Sequence, residues 1–318
     1  MHSIYPERDR SAWIVAQRPP RASVDPFTPH GFFLEEELSA SHQLVSSAVI
    51  LLTNKECPWR CLMCDLWKHT LTHSVPPGAI PRQIDYALSR LPARPQQVKL
   101  YNSGSFFDPT AIPLADYAAV AQKVSCAANL VVESHPRLIG ESALKLRDLL
   151  ASSLEVAMGL ETVHPEVLPR LNKNLTLSDF AEAAGFLRHH GIAVRAFVLL
   201  KPPFLNEAEA LEWAVKSAEF AFASGVDVLS LIPTRAGNGA LDRLQENAEF
   251  APPRLPTLER ALEAVLDLRH GRVFADTWDL EQFSTCAACF DQRRQRLHQM
   301  NRQQFVPPRI NCGLCGDP

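Results

Sequence analysis

From residue 48 onward the chain alternates between two hydrophobic periods. Short apolar runs at 48–53, 97–101, 129–133, 154–158, 193–200 and 226–232 read as strands. Between them, apolar positions recur every three or four residues, as at 114–125 and 142–151, which reads as helix. Thr176 and Asp179 form a capping box ahead of Phe180, Ala184 and Leu187, with Gly191 as the stop. Asn206 and Glu209 repeat the device ahead of Leu211, Val215, Ala218 and Phe222, with Gly225 after the end. Strands alternating with helices predict βαβ units, a parallel sheet and right-handed crossovers. The fold class is α/β, and six units fit an open, partial (β/α)6 TIM-type barrel. A complete eight-stranded barrel is the competitor: residues 273–275 offer a seventh strand, and no eighth is visible.

The two ends break this pattern. Residues 1–43 carry Pro19, Pro20, Pro26 and Pro29, which are expected to interrupt any regular element. Phe27, Phe32, Phe33 and Leu34 are too apolar for a free linker, so this stretch is expected to lie on the core without contributing chemistry. After Pro252-Pro253 a helix near 258–269 leads into a cysteine-rich tail. The expected organisation is an N-terminal extension packed on the core (1–45), a barrel (46–255), and a C-terminal helix with a four-cysteine metal-binding appendage (256–318).

Composition narrows the functions available. With 318 residues and 46% hydrophobic content, the chain is long enough for one large core. No stretch nears twenty uninterrupted apolar residues, so no membrane association is expected. The N-terminus lacks the apolar centre of a secretory signal, which points to the cytoplasm. A net charge of −3 excludes a general polyanion binder. Eight cysteines without an export signal favour metal ligation over disulfides. Cys126 stands alone and reads as a small buried hydrophobe.

Directly after the first parallel run stand Cys57, Cys61 and Cys64, spaced C-x3-C-x2-C. Three thiols on one short loop can reach three corners of a small iron–sulfur cluster, leaving one iron without a protein ligand. A zinc knuckle more often uses C-x2-C pairs, and a redox dithiol has no need of a third cysteine. This spacing after a strand resembles the radical S-adenosylmethionine (radical SAM) superfamily. The resemblance implies a [4Fe-4S] cluster whose fourth iron is chelated by the amino and carboxylate groups of SAM. One electron, from a donor of flavodoxin or ferredoxin type, then cleaves SAM to methionine and a 5′-deoxyadenosyl radical. Many members carry an aromatic residue just before the third cysteine; this chain has Met63.

Barrels of parallel strands place their chemistry at the C-terminal strand ends. The second run ends in Asn102-Ser103-Gly104-Ser105, where glycine allows close backbone approach. The resemblance implies that this segment receives the SAM amino group, although the family's acidic residue is missing from it; the alternative is an ordinary strand–helix turn. Glu133 and Glu161 end the next two runs and are candidates for ribose or ammonium binding, with surface ion pairs as the alternative. Lys201, followed by two prolines, ends the fifth run, and Arg235 follows the sixth. Each is a candidate for the SAM carboxylate or an anionic substrate group, or else a structural ion pair.

A narrower resemblance rests on residues 99–106, 132–136, 158–161 and 199–204. These stretches resemble the radical SAM subunit of archaeosine synthase, with elongator- and methylthiotransferase-type cores as more distant relatives. The resemblance implies C–N bond cleavage on a lysine-modified deazaguanine base, with tRNA or a partner modification subunit as the partner. In the tail, Cys286, Cys289, Cys312 and Cys315 form two C-x2-C pairs, a four-thiolate signal that leaves zinc and an auxiliary iron–sulfur cluster both open. Between the pairs, Arg293, Arg294, Arg296, Arg302 and Arg309 form a candidate basic patch for phosphates. The leading reading is a radical SAM enzyme acting on an RNA base or related nucleobase. The alternatives are a peptide or metabolite substrate with an auxiliary cluster, or a non-catalytic metalloprotein that binds RNA or a partner.

Overall fold

The computed structural model describes residues 3–315. In chain order it contains α1 (Arg10–Ala16), β1 (Gly31–Leu38), β2 (Leu44–Leu51), α2 (Ala79–Leu88), β3 (Gln97–Tyr101), α3 (Tyr117–Val124), β4 (Asn129–Glu133), α4 (Glu141–Leu149) and β5 (Ser153–Glu161). There follow α5 (Val167–Arg170), α6 (Leu177–His189), β6 (Ala193–Leu200), α7 (Glu207–Ala223), β7 (Val228–Pro233), α8 (Ala240–Glu246), α9 (Leu255–Asp267), β8 (Arg272–Ala275) and α10 (Ala287–Gln303).

All eight strands join one sheet in sequence order. From β2 to β8 the pairings are parallel, so the chain forms the partial barrel that strand–helix alternation implied. β1 and β8 are the two edges and do not pair, which rules out the closed eight-stranded alternative. The alternation of side chains decides what each face does. Val98, Leu100, Leu130, Val132, Val156, Met158, Val194, Ala196 and Val198 are buried in the main apolar cluster with residues of the crossover helices, such as Ile84, Val120, Leu146, Phe180 and Ala218. Burying one such large side chain contributes roughly 1.5–3 kcal/mol. Both capping boxes form: Thr176 and Asp179 close the start of α6, and Asn206 and Glu209 that of α7.

The intervening residues face the lumen, and here the sheet is charged. Lys99 on β3 lies 2.5 Å from both Glu35 and Glu37 of β1. Arg195 on β6 holds Glu37 at 2.7 Å and Glu155 of β5 at 2.6 Å. Burial alone would raise the Glu37 carboxyl, but Arg195 and Lys99 outweigh it and keep Glu37 well below the usual carboxylate range.

Both chain ends depart from the sequence reading. The N-terminal segment was expected to hold no regular element, yet it supplies α1 and β1. β1 pairs antiparallel with β2 from Gly31↔Leu51 to Leu38↔Leu44. The prolines sit ahead of the strand rather than inside it, where they would cost a ladder hydrogen bond. At the other end, β8 continues the parallel sheet and α10 sends Leu297 and Met300 into the main core. The tail arginines are not a free cationic surface. Arg293 and Arg296 are buried against Glu259, and Arg296 also against Glu263; the exposed Arg309 pairs with Glu263, Arg294 with Asp291 and Arg302 with Glu36. Glu259 and Glu263 lie on α9, so these cations neutralise buried acids. No helix of the described residues is long and apolar enough to cross a membrane.

Candidate active site

The three-cysteine loop leaves β2 and is fastened from four directions. At its start, Glu56 is gripped by Arg18 at 2.8 Å and Arg21 at 2.6 Å, so the N-terminal segment orients the loop. Arg60 turns back onto the Cys57 and Trp59 carbonyls. From beyond β5, the Leu62 amide donates to the Leu171 carbonyl at 2.8 Å, and the Asn172 amide donates to the Arg60 carbonyl at 2.7 Å. From beyond β7, Asn238 donates to the carbonyls of Leu62 and Cys64. Trp59 lies flat on His135, ring centroids 3.7 Å apart, which ties the loop to the end of β4.

Burial raises all three loop thiols, Cys57 to about 11 and Cys64 to about 12, with Cys61 pushed further still. Buried thiols resist ionisation until a cation shares the site, and coordination to a metal centre then deprotonates them. Their donor chemistry therefore fits an iron–sulfur centre. The one compact thiol group among the described residues is a different one: Cys286, Cys289, Cys312 and Cys315, all within 4.8 Å of one another.

The strand ends converge on this loop, though not all in the roles the sequence suggested. Asn102 is fully buried, and both polar atoms of its side-chain amide lack a protein partner. A buried amide without partners costs stability unless a ligand completes it. Gly104 packs against the loop itself: a Cβ there would meet the Cβ of Cys57 at 3.2 Å. The expected close approach is thus to the cysteine loop rather than to open ligand space. Ser103 adopts a left-handed backbone at φ 54°, and the Ser105 hydroxyl accepts the His135 amide at 2.8 Å.

Glu133 was expected to reach for ribose or an ammonium. Instead its carboxylate accepts the Asn102 amide at 2.5 Å and also takes the amides of Gly104 and Ser103. Burial lifts it to about 7, only partly offset by those three donors. It shapes the 102–105 turn. Glu161 pairs with Lys173, a buried lysine that sequence reasoning did not single out. Burial would depress this ammonium, but Glu161 and the Cys61 thiol outweigh it and hold it above its ordinary value. Gly159 makes the pair possible, because a Cβ there would land on Glu161 Oε1 and Lys173 Nζ. His135 links the parts: its Nδ1 accepts the Arg137 amide, which leaves Nε2–H to donate to the Lys173 carbonyl at 3.0 Å.

Lys201 and Arg235 take the structural alternative. Lys201 is buried and donates to Glu207 at 2.7 Å and to the Pro252 carbonyl, while Arg235 pairs with Asp276 at 2.7 Å. Met63 packs on an apolar cluster containing Val167, Leu171 and Leu199. The missed site residues are Trp59, His135, Asn172, Lys173 and Asn238. One signal was present for two of them: Asn172-Lys173-Asn174 is a polar turn flanked by apolar residues, and both asparagines have positive φ.

Inside the sheet lies a cavity of about 670 Å³. Phe33, Tyr101, Phe197, Phe274 and Trp278 form its aromatic walls, and Tyr101 is the neighbour of Asn102. Glu35 and Glu36 of β1 and Arg302 of α10 are charged groups on its lining.

No protein-family model matches the chain. It is 25% identical over 260 residues to an uncharacterized protein of Methanocaldococcus jannaschii, covering 77% of this chain and 71% of that one. It is 33% identical over 171 residues to archaeosine synthase subunit beta of Thermococcus kodakarensis, covering 51% and 52%. The corresponding subunit of Methanosarcina acetivorans is 29% identical over 181 residues, covering 54% and 52%. The chain thus spans about half the length of these curated subunits. Among solved structures, SuiB of Streptococcus suis bound to its precursor peptide SuiA superposes with a TM-score of 0.53 at 14% identity, over 71% of this chain and 48% of that one. Methylornithine synthase (PylB) does so at 0.51 and 12%, over 81% and 82%. The chain shares the fold of these two structures, the partial barrel that strand–helix alternation implied.

Proposed function

We propose that the chain is a radical SAM enzyme acting on an RNA base or a related modified nucleobase. The observation that carries this reading is the contact of Gly104 with Cys57, which sets the three-cysteine loop against the turn that carries the buried, unpartnered amide of Asn102. Cys57, Cys61 and Cys64 would hold a [4Fe-4S] cluster. When bound, that cluster supplies the electron that splits SAM and starts radical chemistry. The residues around it have separate tasks. Asn102 offers one donor pair and one acceptor to the polar end of SAM, Glu133 holds the turn that presents it, and Trp59 on His135 covers one side of the loop. The Glu161–Lys173 pair sets the charge beside Cys61 without taking part in bond making.

For the substrate, two observations favour a nucleobase. The curated relatives with an assigned name are archaeosine synthase subunits. The lumen cavity, which Tyr101 lines one residue before Asn102, has aromatic walls of the kind on which flat bases stack. By the same analogy, tRNA or a partner subunit would present the base, but the engaged tail arginines do not support the tail as the phosphate grip.

The test is anaerobic reconstitution with iron and sulfide, then incubation with SAM and dithionite. Methionine and 5′-deoxyadenosine are expected, and SAM left intact by fully loaded protein would refute the reading. Asn102→Ala should weaken SAM binding roughly tenfold at unchanged iron content, the worth of one or two hydrogen bonds of about 1 kcal/mol each. Supplying tRNA that carries a lysine-modified deazaguanine, against a free peptide, separates the nucleobase reading from the peptide one by which of them changes mass.

A further inference from the structure

We infer that Cys286, Cys289, Cys312 and Cys315 hold one tetrahedral zinc ion rather than a multi-iron cluster, and that this ion clamps α10 across the open side of the barrel. The sulfur spacing decides between the two. Cys286 Sγ lies 3.9 Å from Cys312 Sγ, Cys289 Sγ lies 3.9 Å from Cys315 Sγ, and all four sulfurs fall within 4.8 Å. A tetrahedron of thiolates around zinc, with bonds of ~2.3 Å, has edges of ~3.8 Å. A four-iron cluster holds its thiolates on the outside of a cube of irons and sulfides, a wider spread than these sulfurs have. Four protein ligands also leave no open position, the mark of a structural site.

The surroundings suit such a centre. Four thiolates on a dication leave two negative charges. Arg293 Nε donates to Cys289 Sγ at 3.3 Å while its Nη1 pairs with Glu259. Cys286 is the N-cap of α10 and Cys289 lies in its first turn, so the start of one 17-residue helix sets two of the ligands side by side. The second cysteine pair is led back by Arg296, which donates to the carbonyls of Pro307 at 2.7 Å and Pro308 at 2.8 Å. The ion therefore staples the start of α10 to the chain that follows it. That helix reaches both sheet edges: Asn301 and Gln304 bond the backbone of β8, and Arg302 pairs with Glu36 of β1. Through His298, Asn301 and Arg302 it also lines the lumen cavity.

The experiment removes the loop cluster and does not depend on SAM chemistry. The Cys57→Ala/Cys61→Ala/Cys64→Ala variant, purified anaerobically, should carry one zinc per chain and no acid-labile sulfide. Cobalt(II) should replace the zinc one-to-one with the absorption of a tetrahedral thiolate complex. Acid-labile sulfide with several irons, or no stoichiometric metal, overturns the proposal. Should the triple variant fail to fold, X-ray absorption at the zinc edge of the intact protein gives the answer. Four sulfurs at ~2.3 Å support the site; nitrogen or oxygen ligands, or no zinc, overturn it. Chelating the ion should increase amide exchange in α10 while the strands 97–101 and 129–133 keep their protection. Unchanged exchange in α10 overturns the clamp.

Discussion

The buried ion pair beside the cysteine loop makes a quantitative claim. Lys173 and Glu161 have side chains only 10% and 9% exposed, and Gly159 gives up a side chain to make room for them. Lys173→Met removes the ammonium and leaves the Glu161 carboxylate with neither water nor its partner. Breaking a buried pair in this way costs about 3–5 kcal/mol, because the surviving charge loses its compensation. In a large domain each kcal/mol moves the melting temperature by roughly 2–4 °C. The single variant should therefore melt about 6–20 °C below the parent. The double variant Lys173→Met/Glu161→Gln removes both charges and should recover most of the loss, since a matched neutral pair carries little desolvation penalty. Thermal unfolding of cluster-free, reduced protein at neutral pH, followed by far-ultraviolet circular dichroism, reads both variants. A single variant that melts with the parent would refute the argument. So would a double variant as unstable as the single one, which would show that shape rather than charge fills the site.

Two further outcomes follow from the turn at 102–105. Gly104→Val drives a side chain into Cys57 and should lower the iron retained after reconstitution severalfold, even without SAM; full loading of a folded variant would contradict the close packing seen here. Glu133 is held at about 7 against an ordinary 4.5, so the folded state binds this proton more tightly than the unfolded state does. Its contribution is fully present below about 4.5 and is lost as the pH rises through about 7. Denaturation at a series of pH values should accordingly show stability falling across that window in the parent but less steeply in Glu133→Gln. Parallel slopes would remove the assignment.

The parallel strands and their helices were legible because each carries its own local signal: a β-rich run, a capping box, a glycine stop. β3, β4 and β6 fall where the periodicity put them. β1 was hidden for a physical reason. Its sequence, Gly31-Phe32-Phe33-Leu34-Glu35-Glu36-Glu37-Leu38, has no clean alternation, and Glu35 and Glu37 become acceptable strand residues only through Lys99 and Arg195. α10 has few apolar residues and buries arginines, which makes sense only beside Glu259 and Glu263 of a different helix. The site divides in the same way. The cysteine loop and the Asn102 turn stood out by spacing and position. Lys173 and Asn238 did not, because each acts on a loop more than 100 residues earlier in the chain. Lys201 and Arg235 were well placed as strand-end cations, but Glu207 and Asp276, which claim them, gave no advance notice.

The acidic face of β1 has a further consequence during synthesis. This edge strand emerges before its cationic partners: Lys99 and Arg195 lie 62 and 158 residues beyond Glu37, and the guanidinium of Arg302 comes later still. Until they arrive, three adjacent glutamates mark a strand that would otherwise offer an open edge to a neighbouring nascent chain. Like charges on an edge discourage intermolecular pairing. Contacts that span so much sequence also close slowly. The charges that later knit the lumen together thus serve first as a guard against aggregation, and the arrival of the last helix converts that repulsion into attachment.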